Sequence, residues 1–461
     1  MPLSPSSIAL ALLALAFPRA SQETDSSELR LARACFAEAR RVSDADGASL
    51  WGKPFYGPIL LVDPIAHRIY ANEDARADGA GLEEHDGVFV GPQPSEVFGA
   101  NAAQEWRGRR WTTVVWQGIP RSTVRRRILL AHEMFHRLQP ELGFSSGSRP
   151  NQHLDSEAGR TWLRLELRAL SAALLASGDE RTRALHDALL FRAHRHELFE
   201  GSAASERVLE LNEGLAQYTG MRLSGLSEGA RATWAAQWIA DVESQEGADP
   251  IWLKRRLEGA ESPASFTRTF PYATGAAYGL LLDGYAAGWH RTLDADFDFG
   301  ARAASATKFE PPADVAGAAR ERAEAYEGWL VELGEARWQA EIEKRRAAFR
   351  QRLVDAPVLV LPFSGKKSLS FQSDELTTLP GVGLVYHRVV VRATWGTLRV
   401  DSGGALTHLD ANGNATDVAV AAPASGVAAR SGDGWSLELA PGWELAPGER
   451  AGDLVAREAK R

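Results

Sequence analysis

The chain of 461 residues contains a single cysteine, Cys35, so no disulfide can form within it. This excludes a small secreted fold stapled by disulfides and suits a bacterial periplasmic protein better. The sequence also lacks a basic block, because its Lys and Arg residues are spread along the whole length. We therefore expect no nucleic-acid partner. The formal net charge of -8 favours solubility and says little about partners.

Long hydrophobic runs are missing as well. The apolar stretch at residues 8–17 is too short to span a bilayer as a helix, and no other segment is long enough, so we expect no transmembrane anchor. The length of this stretch and the small residues Ala14, Ala16 and Ala20 predict a signal peptide at residues 1–21, and hence a periplasmic or secreted protein. Because no Lys or Arg precedes the stretch, a buried amphipathic helix stays open as the alternative.

Apolar residues make up 44% of the chain, which is enough for a substantial core and for more than one domain. Short apolar runs among Gly and Pro residues predict strands at residues 59–62, 87–90 and 111–116. Apolar spacing of the helical kind predicts helices at residues 27–42, 121–138, 156–176 and 206–219, and one long or two shorter exposed helices at about 313–353.

The pattern changes at Pro357, after which short strands alternate with turns of Gly, Asp, Asn and Pro. We therefore predict one domain at residues 22–355 and a β-sandwich-like domain at residues 356–461. The expected fold class is α+β. It combines a mostly helical domain, holding a small mixed or antiparallel sheet, with a C-terminal all-β domain.

Residues 132–136 have the sequence His-Glu-Met-Phe-His, inside a predicted helix. Residues four apart lie one above the other on a helix, so His132 and His136 can bind one zinc ion. Glu133 lies close enough to take a proton from a water at that metal. The alternative is a buried helix with two hydrogen-bonded histidines, but an unpaired Glu133 would be costly to bury there. The pattern therefore indicates a Zn²⁺ site with Glu133 as general base.

A catalytic zinc site has three protein ligands, and the strongest candidate for the third is Glu213, within Leu-Asn-Glu-Gly-Leu-Ala-Gln-Tyr. The next residue, Gly214, costs a helix about 1 kcal/mol relative to Ala. Such a glycine often marks a close approach of two backbones, as expected if this helix packs against the one carrying His132. An ordinary surface carboxylate is the alternative for Glu213.

Three other acidic residues are rival ligands or supporting groups. Asp155 and Glu157 precede a predicted helix, where Asp155 can be the N-cap and Glu157 an acid of the first turn. Glu166 lies on a largely apolar helix. It can orient a ligand imidazole as a hydrogen-bond acceptor, or it can form a salt bridge with a neighbouring Arg.

The sequence HEMFH followed by LNEGLAQY resembles the gluzincins, zinc peptidases with a thermolysin-like catalytic domain whose third ligand is a Glu on a second helix. The aminopeptidase N-like branch is the most similar, and the resemblance implies that Glu213 is the third ligand. It also implies that Tyr272, in a Tyr-Ala-Thr-Gly segment, donates a hydrogen bond to the tetrahedral oxyanion. A packed aromatic residue before a helix is the alternative for Tyr272. The family spacing after the second His falls on Asp155, which therefore stays a rival of Glu213.

These motifs predict a zinc metallopeptidase that acts on a peptide or protein substrate. The strand at residues 111–116 resembles the gluzincin edge strand, which pairs with the substrate backbone. Two other functions stay open. The chain can be a catalytically silent, peptidase-like binding or assembly protein, or a zinc-dependent hydrolase of a non-peptide amide or ester.

Overall fold

The computed structural model describes residues 20–75, 82–144, 151–243, 266–371, 376–410, 414–424 and 426–459. Of the predicted signal peptide, residues 1–19 lie outside these ranges, so that prediction stays untested. The described chain contains both helices and strands, and the α+β fold class is confirmed. Within the same ranges, no helix combines the length and hydrophobicity that a membrane crossing requires.

The helices largely follow the predicted segments. In chain order they are α1 Ala20–Asp46, α2 Thr123–Leu138, α3 Glu157–Leu175, α4 Gly178–Leu198, α5 Ser202–Leu209, α6 Leu215–Arg222, α7 Glu228–Glu243, α8 Phe266–Tyr285, α9 Phe299–Thr307, α10 Val315–Ala323 and α11 Gly328–Arg350. Two π-helical turns, Glu210–Gly214 and Gln351–Asp355, follow α5 and α11. The helix predicted at residues 206–219 is therefore interrupted by a π turn.

The strands are β1 Ile59–Asp63, β2 Arg68–Ala71, β3 Glu83–His85, β4 Val88–Pro92, β5 Ala102–Trp106, β6 Arg109–Val115, β7 Val358–Pro362, β8 Ser368–Ser370, β9 Leu376–Leu379, β10 Gly383–Tyr386, β11 Val389–Ala393, β12 Gly396–Val400, β13 Ala405–His408, β14 Asp417–Ala421, β15 Ser431–Gly432, β16 Trp435–Leu439, β17 Trp443–Pro447 and β18 Leu454–Glu458. The three strands predicted before α2 correspond to β1, β4 and β6, so these predictions are confirmed.

The chain forms two compact units, of which the first comprises residues 1–142 and 223–225. This unit contains a six-stranded sheet in the order β3-β4-β2-β1-β6-β5. β1 and β6 are parallel, whereas the other neighbouring strands are antiparallel, so the sheet is mixed as predicted. Its buried side chains include Leu60, Val62, Ile69, Trp106 and Trp111.

The prediction that residues 111–116 form an edge strand is wrong, because β6 lies between β1 and β5. A two-residue turn at Arg107 and Gly108 folds β5 against the outer side of β6. Both turn residues have positive φ, 50° and 71°, which is the backbone of a type I′ hairpin. The edge strand on this side of the sheet is therefore β5.

The second unit comprises residues 143–222 and 226–461. α3 and α4 form an antiparallel hairpin in it, and α8 packs against α3 and α6. The strands predicted after Pro357 are present as two sheets, ordered β17-β18-β7-β14-β13-β10-β9 and β15-β16-β12-β11-β8. Both sheets contribute to one core, which includes Leu361, Val391, Trp395 and Val420.

The segment predicted as exposed helices, residues 313–353, forms α10 and α11, and one side of α11 is buried. The carboxylate of Glu335 on α11 contacts the guanidinium groups of Arg160, at 2.6 Å, and Arg164 on α3. All three side chains are buried. Ion pairing therefore fixes α11 on the α3–α4 hairpin, and only the rest of α11 is a solvated face.

Candidate metal centre

Helix α2, which carries the His-Glu-Met-Phe-His motif, is fixed within the first unit by contacts near both of its ends. Near its start, Arg126 donates from Nε and Nη2 to the two carboxylate oxygens of Glu38 on α1, at 2.9 and 2.7 Å. Near its end, Arg137 donates to the carbonyl oxygen of Phe55 at 2.7 Å. Because a bidentate pair restrains direction as well as distance, these contacts hold the helix in a definite orientation.

The two imidazoles of the motif face each other on α2. Nε2 of His132 lies 3.1 Å from Nε2 of His136. Two nitrogens bound to one tetrahedral zinc ion would be about 3.3 Å apart, given Zn–N bonds of about 2.0 Å. The two rings are therefore already placed as a pair of ligands for one ion, as the helical spacing predicted.

Gln139 orients His136. Its Oε1 accepts a hydrogen bond from Nδ1 of His136 at 2.9 Å, and its side chain is 1% exposed. With Nδ1 carrying the proton, Nε2 keeps the lone pair that a metal requires. The sequence predictions missed this residue. The signal was its position three residues after His136, on the same face of the helix.

Glu213 was predicted from the sequence as the third metal ligand, beside His132 and His136. One ligand atom from each of His132, His136 and Glu213 lies within 4.8 Å of the other two, and among the described residues these three form a group that can hold a metal ion. Nδ2 of Asn212 donates to Oε1 of Glu213 at 3.1 Å and orients that carboxylate.

Glu213 lies in the π turn Glu210–Gly214 rather than in a regular helix. π turns inside helices occur frequently at functional sites, because the extra residue redirects the side chains around it. The close approach predicted for Gly214 is found at Gly275 of α8, where a Cβ on Gly214 would lie 3.1 Å from the Cα of Gly275. The backbone that meets the π turn is therefore that of α8, and the expectation that Gly214 marks packing on the motif helix is wrong.

Glu133 and Tyr272 both lie inside helices. Glu133 is buried on α2 next to His132 and is 4% exposed. Tyr272 is half-buried and lies inside α8, three residues before Gly275. Tyr272 thus lies inside the helix and not before it, because α8 begins at Phe266 and continues through Pro271.

Asp155, the rival candidate for the third ligand, forms an ion pair within the second unit. Its carboxylate accepts a hydrogen bond from Arg346 of α11 at 3.1 Å. It is also not the N-cap of α3, so that prediction is wrong. The cap is Ser156, whose Oγ accepts from the backbone N–H of Gly159 at 3.1 Å, while Asp155 ends the preceding 3-10 turn. Glu157 is an exposed acid in the first turn of α3, as predicted.

Glu166 forms a salt bridge, which was the second of its two predicted roles. Its carboxylate lies 2.6 Å from the guanidinium of Arg195 and 3.3 Å from that of Arg192, both on α4. It also accepts a hydrogen bond from the hydroxyl of Tyr278 at 2.8 Å. The side chain of Glu166 is fully buried in this cluster.

The site thus consists of two imidazoles and one carboxylate, which is a ligand set that suits zinc. Its geometry fits the ion in the spacing of the histidine nitrogens and in the support that Gln139 and Asn212 give to the ligands. No known protein family, curated protein or solved structure matches the chain. The function is therefore argued from the geometry of this site.

Proposed function

We propose that the protein is a zinc-dependent hydrolase of peptide bonds, a peptidase of the gluzincin type. The observation that carries the proposal is the group formed by His132, His136 and Glu213, with Glu133 buried on the same helix as the histidines. Three protein ligands leave a fourth position open for water or substrate, which distinguishes catalytic zinc sites from structural ones. A site that only stabilises the fold has no use for Glu133.

In this proposal each residue has a separate task. Zinc bound at the site would polarise the scissile carbonyl and lower the pKa of a water molecule. Glu133 accepts a proton from the attacking water and transfers it to the leaving amine. The hydroxyl of Tyr272 donates a hydrogen bond to the developing oxyanion. The position of Tyr272, one turn before the contact of Gly275 with Gly214, supports this role, since Gly214 follows Glu213 directly.

The substrate backbone would pair with β5, in place of the strand predicted from the sequence. Among the described strands, β5 pairs only with β6, so its other side can accept an extended peptide. β5 also packs against α2, the helix that carries His132 and Glu133. Main-chain pairing of this kind gives affinity with little dependence on sequence.

The decisive experiment replaces Glu133 with Gln, which removes the base and leaves all three ligands. We expect zinc content to stay at the wild-type level while hydrolysis of a peptide library disappears. Glu141→Gln is the matched control, since Glu141 pairs with Lys53 on the surface, at 2.9 Å, and should be dispensable. Undiminished peptide hydrolysis by Glu133→Gln would exclude it as the base.

The same assay separates the other candidate functions. A wild-type protein that is fully occupied by zinc but cleaves no peptide would be a binding protein. Cleavage of small amides or esters without cleavage of peptides would identify a different hydrolase.

A further inference from the structure

A cluster of buried charged and hydroxyl side chains lies beside the π turn that carries Glu213. We call it the buried cluster, and it consists of Glu166, Arg192, Arg195, Glu206, Glu210, Thr274 and Tyr278, all within the second unit and all buried. Its members come from α3, α4, α5, α8 and the π turn itself. Glu210, the first residue of the π turn, is the member through which the cluster reaches Glu213.

Both carboxylate oxygens of Glu210 are held by neighbouring helices. Arg192 on α4 donates to Oε1 at 2.9 Å and to Oε2 at 2.6 Å. Thr274 on α8 donates from its hydroxyl to Oε1 at 2.7 Å. This bidentate geometry fixes the direction of the Glu210 side chain and not only its distance from the cation.

The π turn is therefore held at both of its ends. Its first residue, Glu210, is bound by Arg192 and Thr274, and its last, Gly214, contacts the backbone of Gly275. Thr274 and Gly275 are adjacent on α8, so one turn of that helix makes both contacts. π-helical turns are rare, so a sequence that contains one needs tertiary contacts to keep it.

Fold stability alone does not account for the cluster. Removing charges from water costs free energy for each ion, and replacing buried ion pairs with apolar residues often leaves a protein equally or more stable. Burial opposes the charge on Arg192, but the carboxylates of Glu210, Asp298 and Glu166 hold the pKa of Arg192 well above its ordinary value. Arg192 consequently remains a cation, whereas burial raises the pKa of the Glu210 carboxyl that it binds.

We infer that Arg192 and Thr274 are positioning residues for the metal ligand Glu213, because they hold Glu210 and so fix the π turn in which Glu213 lies. The inference rests on the proposed function, in which Glu213 is the third zinc ligand. In this role both residues act through the backbone of residues 210–214 and not as metal ligands.

The test compares two substitutions that each remove one hydroxyl from the buried cluster. Thr274→Val removes the hydrogen bond to Glu210, and Tyr278→Phe removes the hydrogen bond to Glu166, which lies outside the π turn. Each substitution removes one hydrogen-bond donor from a buried carboxylate, so we expect similar losses of thermal stability. The readouts are the zinc dissociation constant, from competition with a chromophoric chelator, and the visible spectrum of the Co²⁺-substituted protein.

We expect Thr274→Val to weaken zinc binding about 10-fold and to alter the Co²⁺ bands, since groups that orient metal ligands contribute effects of this size. Tyr278→Phe should bind both metals like the wild type. Thr274→Ser retains a hydroxyl at this position, so it should show the zinc affinity and the Co²⁺ spectrum of the wild type. A purely structural role for Thr274 would instead give Thr274→Val and Tyr278→Phe the same metal affinity, and that result overturns the inference.

A parallel measurement on Glu213→Ala separates this inference from the proposed function. If Glu213→Ala binds zinc as tightly as the wild type, Glu213 is not a ligand and both proposals fail. If Glu213→Ala loses zinc while Thr274→Val binds it normally, only the positioning role is refuted.

Discussion

Gly214 and Gly275 contact each other through their backbones. A Cβ added to Gly275 would lie 2.2 Å from the Cα of Gly214 and 2.8 Å from its carbonyl oxygen. No Cβ fits on Gly275 unless a backbone moves, whereas a Cβ on Gly214 would lie 3.1 Å from the Cα of Gly275, which is tight. The contact places the residue that follows Glu213 directly against the helix that carries Tyr272 and Thr274.

Gly275→Ala should destabilise the protein, because one of two packed backbones must move to admit the methyl group. Overpacking typically costs about 1–3 kcal/mol, and the contact here is with backbone rather than with a flexible side chain. The measurement is the free energy of unfolding in urea. Gly284→Ala on the same helix is the control, since its Cβ would meet only Arg181, at 4.0 Å, and helix propensity favours Ala by up to about 1 kcal/mol. Equal stability of the two variants would contradict the close contact.

Glu213→Ala should strip the metal, whereas Asp155→Ala should retain it. Glu213 belongs to the group that can hold a metal ion, and the carboxylate of Asp155 accepts a hydrogen bond from Arg346. Zinc content after dialysis, measured by atomic absorption, decides between them. If only Asp155→Ala releases zinc, our assignment of the third ligand is wrong.

Gln139→Leu should lower zinc affinity without removing a ligand. The change deletes the acceptor at Nδ1 of His136, so the ring loses both its orientation and its fixed tautomer. We expect a 10- to 100-fold rise in the zinc dissociation constant, which is the usual range for such groups. Gln139→Glu keeps an acceptor and should bind zinc more tightly than Gln139→Leu. A wild-type dissociation constant for Gln139→Leu would show that Gln139 does not support His136.

The thiol of Cys35 should be unreactive in the native protein. Burial, together with the nearby Glu38 and against the opposing effect of Arg126, raises the pKa of Cys35 to about 12, so the thiolate is scarce at pH 8. An aromatic disulfide reagent at pH 8 should therefore detect almost no thiol before guanidinium is added, and one per chain afterwards. Rapid labelling of the native protein would contradict the buried position of α1 around Cys35.

Stability should fall between pH 6.5 and pH 4 because of His387. Burial, and secondarily the charge of Arg345, lowers the pKa of His387 to about 4. In that window the unfolded chain binds a proton that the folded chain does not, so the free energy of unfolding decreases as the pH drops. We expect a loss of about 2 kcal/mol from this residue. Urea unfolding at pH 7 and pH 4.5 measures it, and His387→Gln should show a smaller difference. An equal difference in both proteins would exclude His387 as the cause.

The sequence predicted the part of the site whose residues lie close together in the chain. His132 and His136 are four residues apart on a helix, and helical geometry alone brings their rings together. The approximate bounds of α2 and of three of the six strands before it, β1, β4 and β6, also followed from apolar spacing, because both periodicities are local. The general-base role of Glu133 and the oxyanion role of Tyr272 stay predictions that the experiments above address.

Two of the errors concern partners that lie far apart in the chain. Whether β6 is an edge strand depends on the Arg107–Gly108 turn and on pairing with β1, and strand alternation does not encode either partner. Gly214 indicated a close backbone contact, but the sequence around it does not identify Gly275 as the partner. The N-cap of α3 was a local error, because the sequence analysis proposed Asp155, whereas Ser156 has the extended backbone and accepts from Gly159.

By itself, the sequence determined which residue types are available and how those within one helix or strand face each other: a histidine pair on α2, a glycine after Glu213, a lone cysteine. Only the tertiary structure decided which distant groups meet, including Arg192 and Thr274 with Glu210. The reason is physical, since the spacing of neighbours follows from fixed backbone geometry, whereas long-range contacts follow from how all the helices and sheets pack together.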